Sequence, residues 1–187
     1  MSSQPPHFDG QHWSNADEDR IEVVAADPRW AQRFAEEAEA IRRALQLPNL
    51  TIEHIGSTAV PGLDAKPIID MLLLPAPGFD RSCLIEPLER LGYQYWRENP
   101  RPERMFFVKG MPPFGNGRTH HIHLMEPNEA QRRLLFRDWL RAQPDDARMY
   151  AEVKRELARR FPTDREAYTD GKGEVIAQIL SRALNSP

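Results

Sequence analysis

HIGSTAVPGLDAKPIID, His54 to Asp70, joins two apolar segments through a loop punctuated by glycine and proline. The segment before it, Leu50–Ile55, reads as a strand that runs straight into Gly56-Ser57. A small residue at such a turn lets backbone amides approach a phosphate, and a hydroxyl adds a further donor. The turn is not a P-loop, because Pro61 stands where the G-x-x-x-x-G-K-[ST] pattern requires its second glycine. Beyond Pro61-Gly62 comes a second strand, Pro67–Leu74, whose run IIDMLLL is apolar except for Asp70. Burying that carboxylate is costly unless it is paired or binds a cation. Two readings of Asp70 stay open at this point: a cation ligand, or a cap or arginine partner that serves the fold.

A second chemical cluster lies downstream. Arg118-Thr119-His120-His121-Ile122-His123 holds three of the six histidines, within four positions. On a strand spanning 119–125, His121 and His123 share one face while His120, Ile122 and Leu124 share the other. A His-x-His pair presents two imidazoles to a metal or a phosphate; two packed structural histidines fit the spacing equally well. The costly polar residues of both strands, Asp70, His121 and His123, are expected to converge on one pocket, and His120 is expected to pack.

The surrounding pattern is mixed. Residues 1–19 form a polar tail in which His7 and His12 read as solvated. A short strand is expected at Ile21–Val24, then Asp27-Pro28 as cap and first turn of a helix over 28–46, with Trp30, Phe34, Ala38, Ile41 and Leu45 on its buried face. A helix over 79–91 ends at Gly92, and strands follow at 93–97 and 104–109. From Pro127 the periodicity is helical, over 127–142, 145–161 and 165–184. Leu135, Trp139 and Tyr150 there read as core, and Gly171-Lys172-Gly173 interrupts the last segment. The fold class is therefore α+β: a sheet core over about 20–126 and a helical part over about 127–184, forming one domain over 20–187.

Composition excludes several functions. The chain has 187 residues, 40% hydrophobic and 28% charged, enough for a sizeable core. No apolar run is long enough to span a membrane, and MSSQPPHFDGQHW lacks the features of a secretory signal. Cys83 is the single cysteine, so neither an internal disulfide nor a cysteine-rich zinc site can form. The expected location is the cytoplasm. Net charge is −3, and no segment carries the basic excess that a nucleic-acid partner requires. Only four lysines are present, Lys66, Lys109, Lys154 and Lys172, against 21 arginines.

HIGSTAVPGLDAKPIIDM resembles the GrpB-like (UPF0157-type) family of the nucleotidyltransferase-fold superfamily. The resemblance runs from about Ile21 to Leu184 and takes in the Asp27-Pro28-x-Trp30 start of the first helix, the HHIH strand and Tyr168-Thr169-Asp170-Gly171-Lys172. It implies a nucleotidyltransferase-like mixed sheet flanked by helices, with a C-terminal helical extension. The superfamily pattern is a strand ending in Gly-Ser, then Asp-x-Asp or Asp-x-Glu, then a third carboxylate. Gly56-Ser57 and Asp70 match, but Leu72 stands where the second acid belongs. Two-metal phosphoryl chemistry needs several anionic ligands. His121 and His123 are the substitutes to expect, with Glu53 a weaker one, and imidazoles favour zinc or manganese over magnesium.

The expected function is metal-assisted nucleotidyl or phosphoryl transfer from a nucleotide to a small-molecule acceptor. Asp70, His121 and His123 would hold a divalent cation (Mg, Mn or Zn) or move protons. Gly56, Ser57 and Thr58 would hold phosphate, and Lys66, Arg118 and Lys172 would neutralise its charge. The alternatives are a non-catalytic nucleotide-binding module that has lost the metal pair, for which Leu72 speaks, and a metal-dependent phosphoester hydrolase built on the histidine pair.

Overall fold

The computed structural model describes residues 20–101 and 103–186. The polar tail, with His7 and His12, lies outside the described residues. Five strands form one sheet: β1 (Thr51–Ile55), β2 (Ile69–Leu74), β3 (Tyr93–Tyr95), β4 (Met105–Lys109) and β5 (His120–Leu124), in the spatial order β1-β2-β5-β4-β3. The central pair β2 and β5 is parallel and every other pair is antiparallel. A parallel pair needs a long crossover, and here it contains β3, β4 and the helix before them. The fold is α+β with a mixed nucleotidyltransferase-like sheet, as the motif implied.

One sheet face carries the main core. Ile52, Met71, Leu73, Phe107, Ile122 and Leu124 pack there against Trp30, Ala38 and Ile41 of α1 (Arg29–Leu45) and Leu88 of α2 (Ile85–Arg90). Truncating such a fully buried side chain to alanine costs about 2–5 kcal/mol. Strand alternation sends Ile55, Asp70, Leu72, His121, His123 and Phe106 to the opposite face. There Leu72 and Ile55 pack with Met125 and with Ala130 of α3 (Pro127–Ala142). The helices α4 (Pro144–Arg160), α5 (Arg165–Gly171) and α6 (Gly173–Asn185) complete the C-terminal layer. That layer meets the Gly56–Lys66 loop through Val60 and Leu63, which pack with Leu140, Tyr150, Val175 and Ile179.

Four local expectations are corrected. Residues 21–24 make no strand; they contribute one bridge, Val24 to Ala65, and Ile21 N–H donates to the Pro162 carbonyl at 2.7 Å. α1 starts one residue later than expected, although Asp27 still caps it by accepting the Arg29 N–H at 2.9 Å. The expected helix over 79–91 is a 3-10 turn at Arg81–Leu84 followed by the short α2, begun by an Asp80 cap on the Ser82 N–H. The single helix expected over 165–184 is two, broken at Lys172 between its two glycines. No helix among the described residues is long and apolar enough to cross a membrane.

Candidate functional site

The parallel pairing of β2 with β5 sets Asp70 directly beside His121 and Leu72 beside His123. Side chains at paired positions of adjacent strands project to the same face, so the carboxylate meets both imidazoles. Asp70 Oδ1 lies 3.0 Å from His121 Nδ1 and 3.2 Å from His123 Nε2. Phe106 of β4 stands against both rings, its centroid 5.0 Å from each. Burial pushes the Asp70 carboxyl up, but the two imidazoles outweigh it and hold the group well below the usual carboxylate range. Burial likewise pushes His121 down to about 4. At neutral pH His121 is therefore uncharged and holds Asp70 by donating its Nδ1–H.

The three donor atoms lie within 4.8 Å of one another, the only such metal-capable group among the described residues. Ligands about 2.0–2.2 Å from one cation stand roughly 3–3.5 Å apart, and the two oxygen-to-nitrogen distances match that spacing. The set fits a divalent cation. His121 is the weaker ligand of the two imidazoles: bound through Nδ1 it must carry its proton on Nε2, which is buried without an acceptor. Glu53 does not join the set. It lies beside Leu72 and accepts from Arg137 Nη1 at 2.7 Å. Leu72 is fully buried, so the place of the second acid is apolar core.

Gly56 follows β1 with φ 72° and ψ −172°, a conformation open to glycine. A Cβ on it would stand 2.6 Å from Asp70 Oδ2, so the absent side chain is what admits the carboxylate. Ser57–Ala59 then form a 3-10 turn whose first internal bond is Ala59 N–H to the Gly56 carbonyl, leaving the Ser57 and Thr58 amides ahead of it. The Ser57 side chain lies close enough to the Tyr150 hydroxyl to favour its ionised form, against the larger effect of burial. Thr58 is committed elsewhere: its hydroxyl donates to the Ile68 carbonyl at 3.2 Å, so His54 Nε2–H, 3.1 Å away, must donate to it. Only the backbone of Thr58 remains for a ligand. His54 lies on the other sheet face, stacked on Phe34 at 4.6 Å, and burial lowers it to about 4. His120 also faces away and packs, bonding Thr119 Oγ1 at 2.9 Å.

Lys66 and Lys172 both approach the buried ring of Tyr168, at 5.0 and 4.4 Å from its centre. Burial lowers Lys172 to about 8 and lowers Lys66 as well; the Asp70 charge acts on both in the opposite direction. Arg118 is buried, and its charge opposes protonation of both Lys66 and His121. The elements that carry Gly56, Asp70, His121, Lys66 and Lys172 thus gather about one carboxylate. Tyr150, Lys154 and Tyr168 belong to the same neighbourhood and were not singled out as functional from the sequence. Helical spacing marks Tyr150 as core, and nothing local shows that its hydroxyl reaches Ser57, 93 positions earlier. A groove of about 590 Å³ beside Lys109, Phe114 and Thr119 shares none of the residues of the Asp70 cluster.

Residues 20–182 match the family described as GrpB protein. The UPF0157 protein of Pseudomonas aeruginosa is 73% identical over 183 residues, covering 98% of this chain and 76% of that protein. A dephospho-CoA kinase of Mycolicibacterium paratuberculosis is 29% identical over 186 residues, which cover 87% of this chain but only 46% of the kinase. Among solved structures, the conserved protein GrpB of Enterococcus faecalis superposes with TM-score 0.77 at 37% identity, over 87% of this chain and 97% of that one. The Cid1 poly(U) polymerase superposes with TM-score 0.54 at 13% identity, over 74% of this chain and 45% of that one, a likeness of fold alone. Sheet order, the Gly-Ser turn facing a strand aspartate, and these matches agree: the chain belongs to the GrpB family and has the nucleotidyltransferase-type fold.

Proposed function

We propose that the chain transfers a nucleotidyl or phosphoryl group from a nucleotide to a small-molecule acceptor. The observation that carries this reading is the meeting of Asp70, His121 and His123 with the Gly56-Ser57 turn, beside Lys66 and Lys172, which have no carboxylate partner among the described residues. A divalent cation held by Asp70 Oδ1, His121 Nδ1 and His123 Nε2 supplies Lewis-acid charge to phosphate oxygens. Two imidazoles and one carboxylate favour zinc or manganese over magnesium. The Ser57 hydroxyl and the first amides of its turn hold a phosphate oxygen, with the Tyr150 hydroxyl close by. Lys66, Lys172 and Arg118 offset the charge that develops on the transferred group. A related segment within a protein named dephospho-CoA kinase is consistent with a role beside nucleotide chemistry.

One observation favours a second reading, a nucleotide-binding module without catalysis. Leu72 is sealed in apolar packing with Ile55, Met125 and Ala130, so a second cation has no carboxylate on that strand to bind. Elemental analysis of the purified chain, combined with a thermal-shift panel of nucleotides, separates the readings. Transfer predicts about one bound transition metal and a nucleotide-specific shift. A nucleotide shift without metal supports the module, and metal with no nucleotide response supports the phosphoester hydrolase.

A further inference from the structure

Three of the four lysines end on tyrosine rings of the helical layer. Lys66 and Lys172 share Tyr168, while the Lys154 ammonium lies 4.8 Å from the Tyr150 ring centre and donates to the Asp64 carbonyl. Among the described residues neither Lys66 nor Lys172 pairs with a carboxylate. The fourth lysine shows the contrast: Lys109 also faces a tyrosine, Tyr93, but is neutralised by Glu37 at 2.7 Å. A ring holds an ammonium group by its quadrupole, leaving the N–H donors and the charge available, whereas a carboxylate takes up both.

This arrangement is costly without a ligand. Lys66 and Lys172 oppose each other's charge, Arg165 opposes both, and Arg118 and Arg133 add to the repulsion, with Asp70 the group that favours the charged forms. Tyr168 itself is 1% exposed, on α5, one turn before the break at Lys172. Lys172 lies four positions after Tyr168, one helical turn, which brings its side chain back over the ring.

We propose that Tyr168 is the positioning residue of an anion subsite, its buried ring holding the Lys66 and Lys172 ammonium groups as un-neutralised donors for adjacent phosphoryl groups of one diphosphate or longer chain. The inference rests on the reading of the Ser57 and Asp70 cluster as a phosphate site, and it names the ligand class of that site. A single orthophosphate cannot use both ammonium groups and the Ser57 turn as fully as a linked chain can. Tyr150 plays a parallel part on the serine side, its hydroxyl near Ser57 and its ring against Lys154.

Calorimetric titration of the full chain with inorganic tripolyphosphate, pyrophosphate and orthophosphate tests this. The parent should bind the two linked phosphates at least tenfold more tightly than orthophosphate, with affinity falling as salt rises. Tyr168→Leu should weaken tripolyphosphate about tenfold or more and flatten the salt dependence. Tyr168→Phe keeps the ring and should stay within about twofold of the parent. Lys172→Met should weaken binding comparably, and adding it to Tyr168→Leu should cost little more, because the ring acts through the lysine. Parent-like binding by Tyr168→Leu, or equal loss in Tyr168→Phe and Tyr168→Leu, overturns the proposal. Should Tyr168→Leu fail to fold, lysine side-chain NMR of the parent decides: the Lys66 and Lys172 resonances should both shift with tripolyphosphate, and shifts in neither overturn the proposal. Absence of any phosphate binding by the parent overturns the underlying transferase reading as well; binding that ignores Tyr168 overturns this inference alone.

Discussion

Replacing Gly56 by alanine separates two costs that the structure places at one atom. Backbone strain comes first: at φ 72° and ψ −172° an L-residue sits in a region essentially reserved for glycine, which costs about 1–3 kcal/mol. The second cost is steric. The new methyl would stand 2.6 Å from Asp70 Oδ2 and 3.1 Å from Asp70 Cβ, so the carboxylate must retreat from its two imidazole partners. A hydrogen bond to a charged group contributes about 1.5–3 kcal/mol, and loss of one brings the total to roughly 2.5–6 kcal/mol. Gly62 supplies the control. It has φ 75° but nothing within 4 Å of its would-be Cβ, so Gly62→Ala carries the backbone cost of about 1–2 kcal/mol alone. Urea unfolding of both variants, read as midpoint changes at constant m-value, gives the difference directly. Metal content measured on the same samples should fall for Gly56→Ala and hold for Gly62→Ala. If the two variants lose equal stability and keep equal metal, the contact between Gly56 and Asp70 does not shape the site and the reasoning fails.

Leu72→Asp restores the acid of the superfamily pattern but buries a charge among Ile55, Met125 and Ala130, so it should destabilise by about 3 kcal/mol or more and gain no metal; a stable variant that binds a second metal ion would refute this. Acid should destabilise the parent through His54, whose folded value of about 4 lies below its ordinary 6.5. The unfolded chain then binds the proton first, so stability present above pH 6.5 is lost as the pH falls towards 4, by roughly 3 kcal/mol at most. His54→Phe, which keeps the stack on Phe34, should shrink the difference between unfolding at pH 7 and at pH 5; an unchanged difference counts against His54 as its source.

The sequence was informative where local chemistry and burial coincide. Asp70 stands out because a carboxylate interrupts an otherwise apolar strand, and His121 and His123 because a two-residue spacing puts both on one face. Their meeting 51 and 53 positions apart requires the parallel register of β2 and β5, which neither strand specifies alone. The expected strand at 21–24 failed for the reverse reason: β-branched residues suggest it, but the segment starts with Ile21 bonded to the Pro162 carbonyl and finds one bridging partner, Ala65, at Val24. Lys172 was visible through its two glycines, since glycine inside a helical pattern invites a break. Lys154 was hidden because it sits mid-helix like a solvated lysine, yet it is 2% exposed, and only the packing of α4 on the Gly56–Lys66 loop buries it.

Charge balance ties the departures from the superfamily pattern together. An aspartate and two imidazoles, which ligate a metal as neutral groups, contribute one negative charge where an Asp-x-Asp site contributes two or more. A divalent cation among them leaves a net positive centre, and Lys66, Lys172 and Arg118 add to it. On the proposed reading such a site should bind a multiply charged anion more strongly than a neutral or singly charged ligand, because each added phosphate would find Lys66 or Lys172, which no carboxylate among the described residues neutralises. The substitution of Leu72 for an acid and the seating of lysines on tyrosines act in the same direction, withholding negative charge that the ligand itself then supplies. If negative charge is reintroduced next to Lys172 in the chain, by Gly173→Asp on the exposed start of α6, tripolyphosphate affinity should fall while orthophosphate affinity changes less. Equal loss for the two anions in that titration would show that the subsite does not count phosphates, and the charge argument would fall.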